Sequence, residues 1–397
     1  MPQLSPRITT LNGDGDDGWG VFYRARTMIA AGTPVTELTI GEHDIGTDTS
    51  ILAEIHRSAA AGHTGYAMVP GVRALRDTVA ARIAERTGVP TTYENILITP
   101  GGQAALFAAH MAVLSPGDAG LFIEPYYAVY PGTVRAASGQ PLPVPTNAED
   151  AFLPTYDQIS AATRSAPRAR SLLINTPNNP TGTIYPRETL DGIARACRAH
   201  DLWLISDEVY DTQVWEGEHL SPRALPGMED RTLVIGSMSK SHAMTGSRIG
   251  WICAPAEVIP PLIDLATNTT YGVPGYIQDA ALFALTAGPE LETSVAEPFR
   301  RRRALALSIL EGQDIVRVIP SRGAMYLMLD IRATGLDGQD FANRLLDAHR
   351  IAVMPGESFG TSGAGHLRVA LTVADDRLAA ALDTLTTFAA NLARETA

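Results

Sequence analysis

A lone lysine, Lys240, closes the segment Ser237-Met238-Ser239-Lys240 at the end of an apolar, β-like run (residues 232–235), and Arg248 follows eight positions later. An amine kept out of water and beside other cations sheds its proton and can form a Schiff base with an aldehyde. The hydroxyls of Ser237 and Ser239 and the guanidinium of Arg248 are donors suited to a phosphate dianion. Pyridoxal 5′-phosphate carries an aldehyde and a phosphate on one ring. Isolated Ser-x-Ser-Lys segments are more often solvated loops beside a structural arginine; here four further motifs share the same setting.

Each of the four follows a short apolar run. Thr99-Pro100-Gly101-Gly102-Gln103 comes after residues 96–98, and Glu124-Pro125-Tyr126-Tyr127 after 121–123. Asn175-Thr176-Pro177-Asn178-Asn179-Pro180-Thr181-Gly182 comes after 172–174, and Ser206-Asp207-Glu208-Val209-Tyr210 after 202–205. Between the runs lie helical patterns such as 187–200, where Leu190, Ile193, Ala194 and Cys197 share one face. Alternation of this kind predicts a mostly parallel sheet covered on both sides. Ligands of such sheets bind beyond the carboxyl ends of the strands, so five polar motifs at five ends mark one site.

The individual residues suit the parts of one ligand. Gly102 and Gln103 open a predicted helix whose bare N–H groups can receive a phosphate, although a Gly-Gly turn is often only a connection. Tyr127 offers a ring for stacking or, equally, for packing. Asp207 follows four apolar residues and is costly to bury without a cationic partner such as a protonated pyridine nitrogen; its plain alternative is a helix N-cap. Asn179 and Tyr210 can donate to a phenolate oxygen, with Pro180 and Gly182 fixing the turn that aims Asn179 inward. Arg368 sits in the alternating run 366–371, where its fork suits the two parallel bonds of an α-carboxylate; otherwise it is a surface arginine on an edge strand.

The chain has 397 residues, beyond the roughly 250–300 that one core supports, which predicts two domains. A net charge of −12 argues against a nucleic-acid footprint. The one basic cluster, Arg300 to Arg303, reads as a solvated or dimer-facing helix face. Cys197 and Cys253 are expected as core thiols in a reducing compartment rather than a disulfide. No run of 18 apolar residues occurs, and the first seventeen residues lack a signal-peptide core while carrying Asp14, Asp16 and Asp17, so a cytoplasmic protein with no membrane partner is expected.

Together, Asn-Pro-Thr-Gly, Asp-Glu-Val-Tyr and Ser-x-Ser-Lys with its trailing arginine resemble the class I/II pyridoxal-phosphate-dependent aminotransferases of fold type I, from about Gly41 to Arg368. The resemblance implies a homodimer, an α/β fold, and a large domain (46–287) around a mostly parallel seven-stranded sheet. Residues 1–45 and 288–397 would form a smaller α+β domain. It also implies that Lys240 carries the cofactor, with Asp207 as the pyridinium partner, Asn179 and Tyr210 on the ring oxygen and Tyr127 stacked on the ring. By the same likeness Gly102, Gln103, Ser237 and Arg248 hold the phosphate, Tyr66 reaches the phosphate of the partner subunit, and Gly41, Asn179 and Arg368 bind substrate; no metal is implied.

Within that family, the segments 200–203, 217–222 and 239–246 and the early Gly13-Asp14-Gly15 look most like the arginine:pyruvate transaminase branch. Two departures stand out: the family's Gly-Glu-Pro-Asp-Phe turn is Gly41-Glu42-His43-Asp44-Ile45, and Ser247 replaces an aromatic residue before Arg248. Acidic groups in 42–44 and 14–17 favour a basic or neutral amino donor, with pyruvate or 2-oxoglutarate as acceptor. The same cofactor residues would also serve a carbon–sulfur β-lyase. A non-catalytic regulatory module of this type is the other alternative; it carries an additional N-terminal helix-turn-helix domain, and the roughly 40 residues before Gly41 count against that reading.

Overall fold

The computed structural model describes residues 2–13 and 18–396. The acidic stretch Asp14–Asp17, expected on the substrate side, therefore lies outside the described residues. Among the described residues twelve strands form two sheets: β1 (Thr36–Leu38), β2 (Ile96–Thr99), β3 (Ala119–Ile123), β4 (Gln140–Val144), β5 (Ala169–Asn175), β6 (Trp203–Asp207), β7 (Thr232–Ser237), β8 (Gly250–Cys253), β9 (Arg317–Val318), β10 (Tyr326–Asp330), β11 (Ile351–Pro355) and β12 (His366–Ala370).

The seven-stranded sheet runs β2-β8-β7-β6-β5-β3-β4 and is parallel except for β8, which is antiparallel to both neighbours. Strands β2, β3, β7 and β8 are buried at every residue, because helices cover both faces. That two-sided burial is why they read as continuous apolar runs rather than alternating ones. Helix Arg187–Ala199 buries Leu190, Ile193, Ala194 and Cys197, the face its periodicity predicts. Strand β4 carries Pro141 and Pro143 and hides from a sequence reading; as an edge strand bonded only to β3 it tolerates both.

The five-stranded sheet runs β1-β11-β12-β10-β9, with only β1 and β11 parallel. Its core joins Phe299, Phe341, Leu345, Leu378, Leu382 and Leu385 from the helices around it. Strand β12 is central, between β11 and β10, and wholly buried. The alternative of a surface arginine on an edge strand is thereby excluded: β12 is central, and Arg368, opposite the core residues Leu367 and Val369, is 1% exposed.

The arginine cluster is corrected as well. Helix Glu290–Leu310 turns Phe299, Arg302, Ala306 and Leu310 inward at helical spacing, so Arg302 is buried while Arg300 and Arg301 stay in solvent. A guanidinium is tolerated there because Asp44 grips its two ends at 2.6 and 2.8 Å, Asp375 accepts from Nε at 3.2 Å, and the Leu371 carbonyl accepts at 3.1 Å. This fork ties the N-terminal segment to the C-terminal elements. Cys197 and Cys253 are buried, free thiols, and burial pushes each up to about 12. Among the described residues no helix is long and apolar enough to cross a membrane.

Candidate active site

A cavity of roughly 290 Å³ opens beyond the carboxyl ends of β5, β6 and β7, where the large sheet faces the segment after β1 and the small sheet. It is lined by every sequence-predicted site residue except Tyr66. Tyr66 is 91% exposed, its ring edge-on to that of Tyr271 at 5.1 Å, and it does not line this chain's own cavity.

Lys240 sits on a one-turn helix, Met238–Ser241, which Ser237 caps by accepting from the Ser239 N–H at 3.1 Å. Its Nζ donates to the Gly41 carbonyl. Burial pulls the amine down to about 8; Glu42 opposes this, and Arg368 and Arg248 add to it. Lys240 is also the only lysine in the sequence. Gly41 is required by contact, since a Cβ there would overlap the Tyr326 hydroxyl.

Asp207 ends β6 and is buried. Its Oδ2 accepts from the Tyr130 hydroxyl at 2.7 Å and its Oδ1 from the Val209 N–H at 3.4 Å, while its main-chain carbonyl accepts from Asn175 Nδ2 at 2.9 Å. Neither donor to the carboxylate is cationic, and burial pushes the carboxyl up to about 6 despite the Tyr130 bond. The alternative of a helix cap fails, because residues 209–212 form a turn and no helix follows Asp207 directly.

At the other end, Gly101 (φ 82°) turns the chain into helix Gly102–Val113, so the first N–H groups of that helix face the cavity at Gly102 and Gln103. Gly250 packs against this turn: a Cβ on it would lie 2.9 Å from the Gly102 nitrogen. The Arg248 guanidinium covers Gly101 and donates to the Thr245 and Pro100 carbonyls at 2.8 and 3.4 Å. With the hydroxyls of Ser237, Ser239 and Thr245 beside it, this end is a collection of donors.

Arg368 reaches the cavity from β12 between the rings of Tyr326 (4.6 Å) and Phe359 (4.5 Å). One end of its fork donates to Asn179 Oδ1 at 2.8 Å and the other to the Thr39 carbonyl, whereas its buried Nε has no partner among the described residues. The fork is thus partly engaged within the protein, unlike the open clamp expected. Asn179 is fixed twice, since its N–H also donates to Asn175 Oδ1 at 2.7 Å, leaving its Nδ2 as the remaining side-chain donor. The Tyr210 hydroxyl pairs with that of Tyr326 at 3.0 Å. Tyr127 lies edge-on to Tyr130, and burial holds its hydroxyl up at about 12.

Tyr130, Asn175 and Tyr326 are site residues that the motifs leave unassigned. Tyr130 falls one helical turn after Tyr127, a usable signal, and Asn175 is the strand-end residue of its motif; Tyr326 has none. On the substrate side, only Glu42 of the Glu42-His43-Asp44 trio lines the cavity. Asp44 is drawn off by Arg302 and held below the usual carboxylate range by that bond.

Buried amine, buried carboxylate and phosphate-type donors at the strand ends of this sheet define a fold-type I α/β transferase. The sequence profile of aminotransferase class I and II matches residues 33–385. An arginine–pyruvate transaminase of Pseudomonas aeruginosa is 42% identical over 96% of this chain and 96% of its own length. An aspartate/prephenate aminotransferase of Thermus thermophilus is 37% identical over 91% and 93%. The solved aspartate aminotransferase of Thermus thermophilus with maleate superposes with a TM-score of 0.90 at 34% identity, covering 98% of this chain and 100% of that one. The chain belongs to the class I and II aminotransferases, a pyridoxal-phosphate-dependent family, and is an aminotransferase.

Tyr130 stabilises the charged form of Asp207, so its loss raises the carboxyl above about 6. Tyr130→Phe is expected to lower kcat/KM roughly tenfold or more, the worth of a bond to a charged group, and to move the acid limb of the pH–rate profile upward. Initial rates between pH 5 and 9 check both; an unmoved limb would show that Tyr130 does not tune Asp207.

Proposed function

We propose that the chain holds pyridoxal 5′-phosphate in this cavity and transfers the amino group of a basic or neutral L-amino acid to a 2-oxo acid such as pyruvate or 2-oxoglutarate. The observation that carries this reading is Lys240 and Asp207 lining one cavity, the first with its amine near 8 and the second a buried carboxylate bonded to no cation among the described residues. A protonated ring nitrogen meets the need of Asp207, and a phosphate meets the donors at the Gly102 end, so the residues fit the cofactor. When bound, it supplies an aldehyde for amine exchange and a ring that accepts electron density.

Each side chain then has one task. Lys240 Nζ takes the proton from the substrate Cα and carries it for delivery to a different carbon, a transfer eased by an amine that titrates near working pH. Asp207 keeps positive charge on the ring nitrogen. Tyr210 and Asn179 Nδ2 donate to the ring oxygen, and Tyr127 covers the ring. Gly102, Gln103, Ser237 and Arg248 hold the phosphate. Arg368, with Gly41 and Asn179 in the same cavity lining, is assigned the α-carboxylate.

The cavity's three cations are Lys240, Arg248 and Arg368, all with tasks already, so no cation of the described lining remains for a second carboxylate. Glu42 adds negative charge at the rim. Both features favour basic or neutral donors, and the arginine–pyruvate relative agrees with them. We assign the large domain to 46–287 and the small one to 1–45 with 288–397, in keeping with the origin of the two sheets. We also assign a homodimer in the cytoplasm, where two free buried thiols remain reduced.

Initial rates with arginine, lysine, alanine, phenylalanine, aspartate and glutamate, each with both acceptors, test the substrate class: arginine, lysine or a neutral donor is expected to lead, and Lys240→Ala to abolish turnover. A specificity constant for aspartate tenfold above the others would overturn the class, and oxo-acid release without an acceptor would reassign the enzyme as a β-lyase. The outward Tyr66 is assigned to the partner's cavity. Mixing inactive Tyr66→Phe and Lys240→Ala proteins should restore activity by forming one intact site per dimer; none after verified subunit exchange would reject the shared site.

A further inference from the structure

A single helical turn leaves its last carbonyls without main-chain partners, and Lys240 lies on such a turn. Two side chains meet the Lys240 carbonyl instead: His43 Nε2 at 3.1 Å and Gln213 Nε2 at 3.3 Å. Because a carbonyl only accepts, the His43 ring is the tautomer with its proton on Nε2. Its Nδ1 is buried without a partner among the described residues, and burial lowers the ring to about 4, so it stays neutral at working pH.

His43 is itself held. Its ring stands edge-on to Phe299 at 5.3 Å, and the next residue, Asp44, is locked by Arg302. Farther along, Thr47 donates to the Ala243 carbonyl at 2.6 Å, so residues 41–47 run beside 240–243. The same segment touches Lys240 at both ends: Gly41 accepts from Nζ, and His43 donates to the carbonyl.

We propose that His43 is a positioning residue for Lys240, fixing the main chain of the lysine against the Gly41–Thr47 segment so that Nζ stays in the cavity while its proton moves. This deepens the function proposed above and rests on Lys240 being the reacting amine. His43 itself lies outside the cavity lining.

The sole lysine makes the test direct, because amine labelling reports on Lys240 and the N-terminus alone, which peptide mapping separates. Full-length, cofactor-free protein is acetylated with acetic anhydride across pH 6–11. The wild-type Lys240 is expected to titrate near 8. His43→Phe keeps a ring against Phe299 but loses the donor; Lys240 then reaches water, and its titration should rise by about one pH unit, a tenfold change in proton affinity. The charged groups facing the amine, Glu42, Arg368 and Arg248, are unchanged in this variant. In the loaded enzyme kcat should fall roughly five- to tenfold, as expected for one lost hydrogen bond, with donor KM unchanged, and His43→Gln should restore most of both properties. If His43→Phe does not fold, as judged by thermal unfolding, His43→Asn, too short to reach the carbonyl, carries the same expectation. An unmoved Lys240 titration in the folded variant overturns the proposal, with or without a fall in kcat. Turnover by Lys240→Ala would instead overturn the function proposed above.

Discussion

Keeping charge out of water is the constraint on which this structure turns. Asp207, Lys240 and Arg368 all line one small cavity, and burial works against the charged form of each: it raises the carboxyl and lowers both bases. Removing an ion from water costs several kcal/mol even after relaxation, far more than a surface contact returns. Such groups survive only where neighbours are fixed. The fully buried strands β2, β3, β7 and β8 provide that fixity, and the parallel order brings the ends of β5, β6 and β7 to one edge.

The site is also a joint. Arg368 of the small sheet bonds Asn179 beyond β5, Tyr326 of β10 bonds Tyr210 beyond β6, and Lys240 bonds Gly41 beyond β1. Every one of these contacts lies in the cavity where substrate is proposed to bind. The small sheet and the cavity-lining groups of the large sheet therefore hold one another in place, and Arg302 with Asp44 and Asp375 ties the segment after β1 to the C-terminal elements.

The large sheet and most of the cavity were legible because each polar motif follows a buried apolar run, and a buried strand must end where its polar residues can reach partners. What was not legible depends on partners far apart in the chain. Tyr130 and Asp207 are separated by 77 residues, and Tyr210 and Tyr326 by 116. No local pattern marks either pair. Arg302 misled for a related reason: four consecutive arginines look like a solvated face until Asp44, 258 residues away, pairs with one of them. Arg368 was identifiable as a residue but not in its setting, since period-two alternation says nothing about a strand covered on both faces.

Lys240 as the sole covalent attachment point is the central claim, and borohydride reduction of the full-length protein loaded with pyridoxal 5′-phosphate tests it most directly. Digestion and peptide mass mapping should then find one phosphopyridoxyl group per chain, on the peptide containing Lys240, the only lysine available. An unlabelled Lys240 peptide, with the cofactor recovered free or attached to the N-terminal amine, would contradict the account.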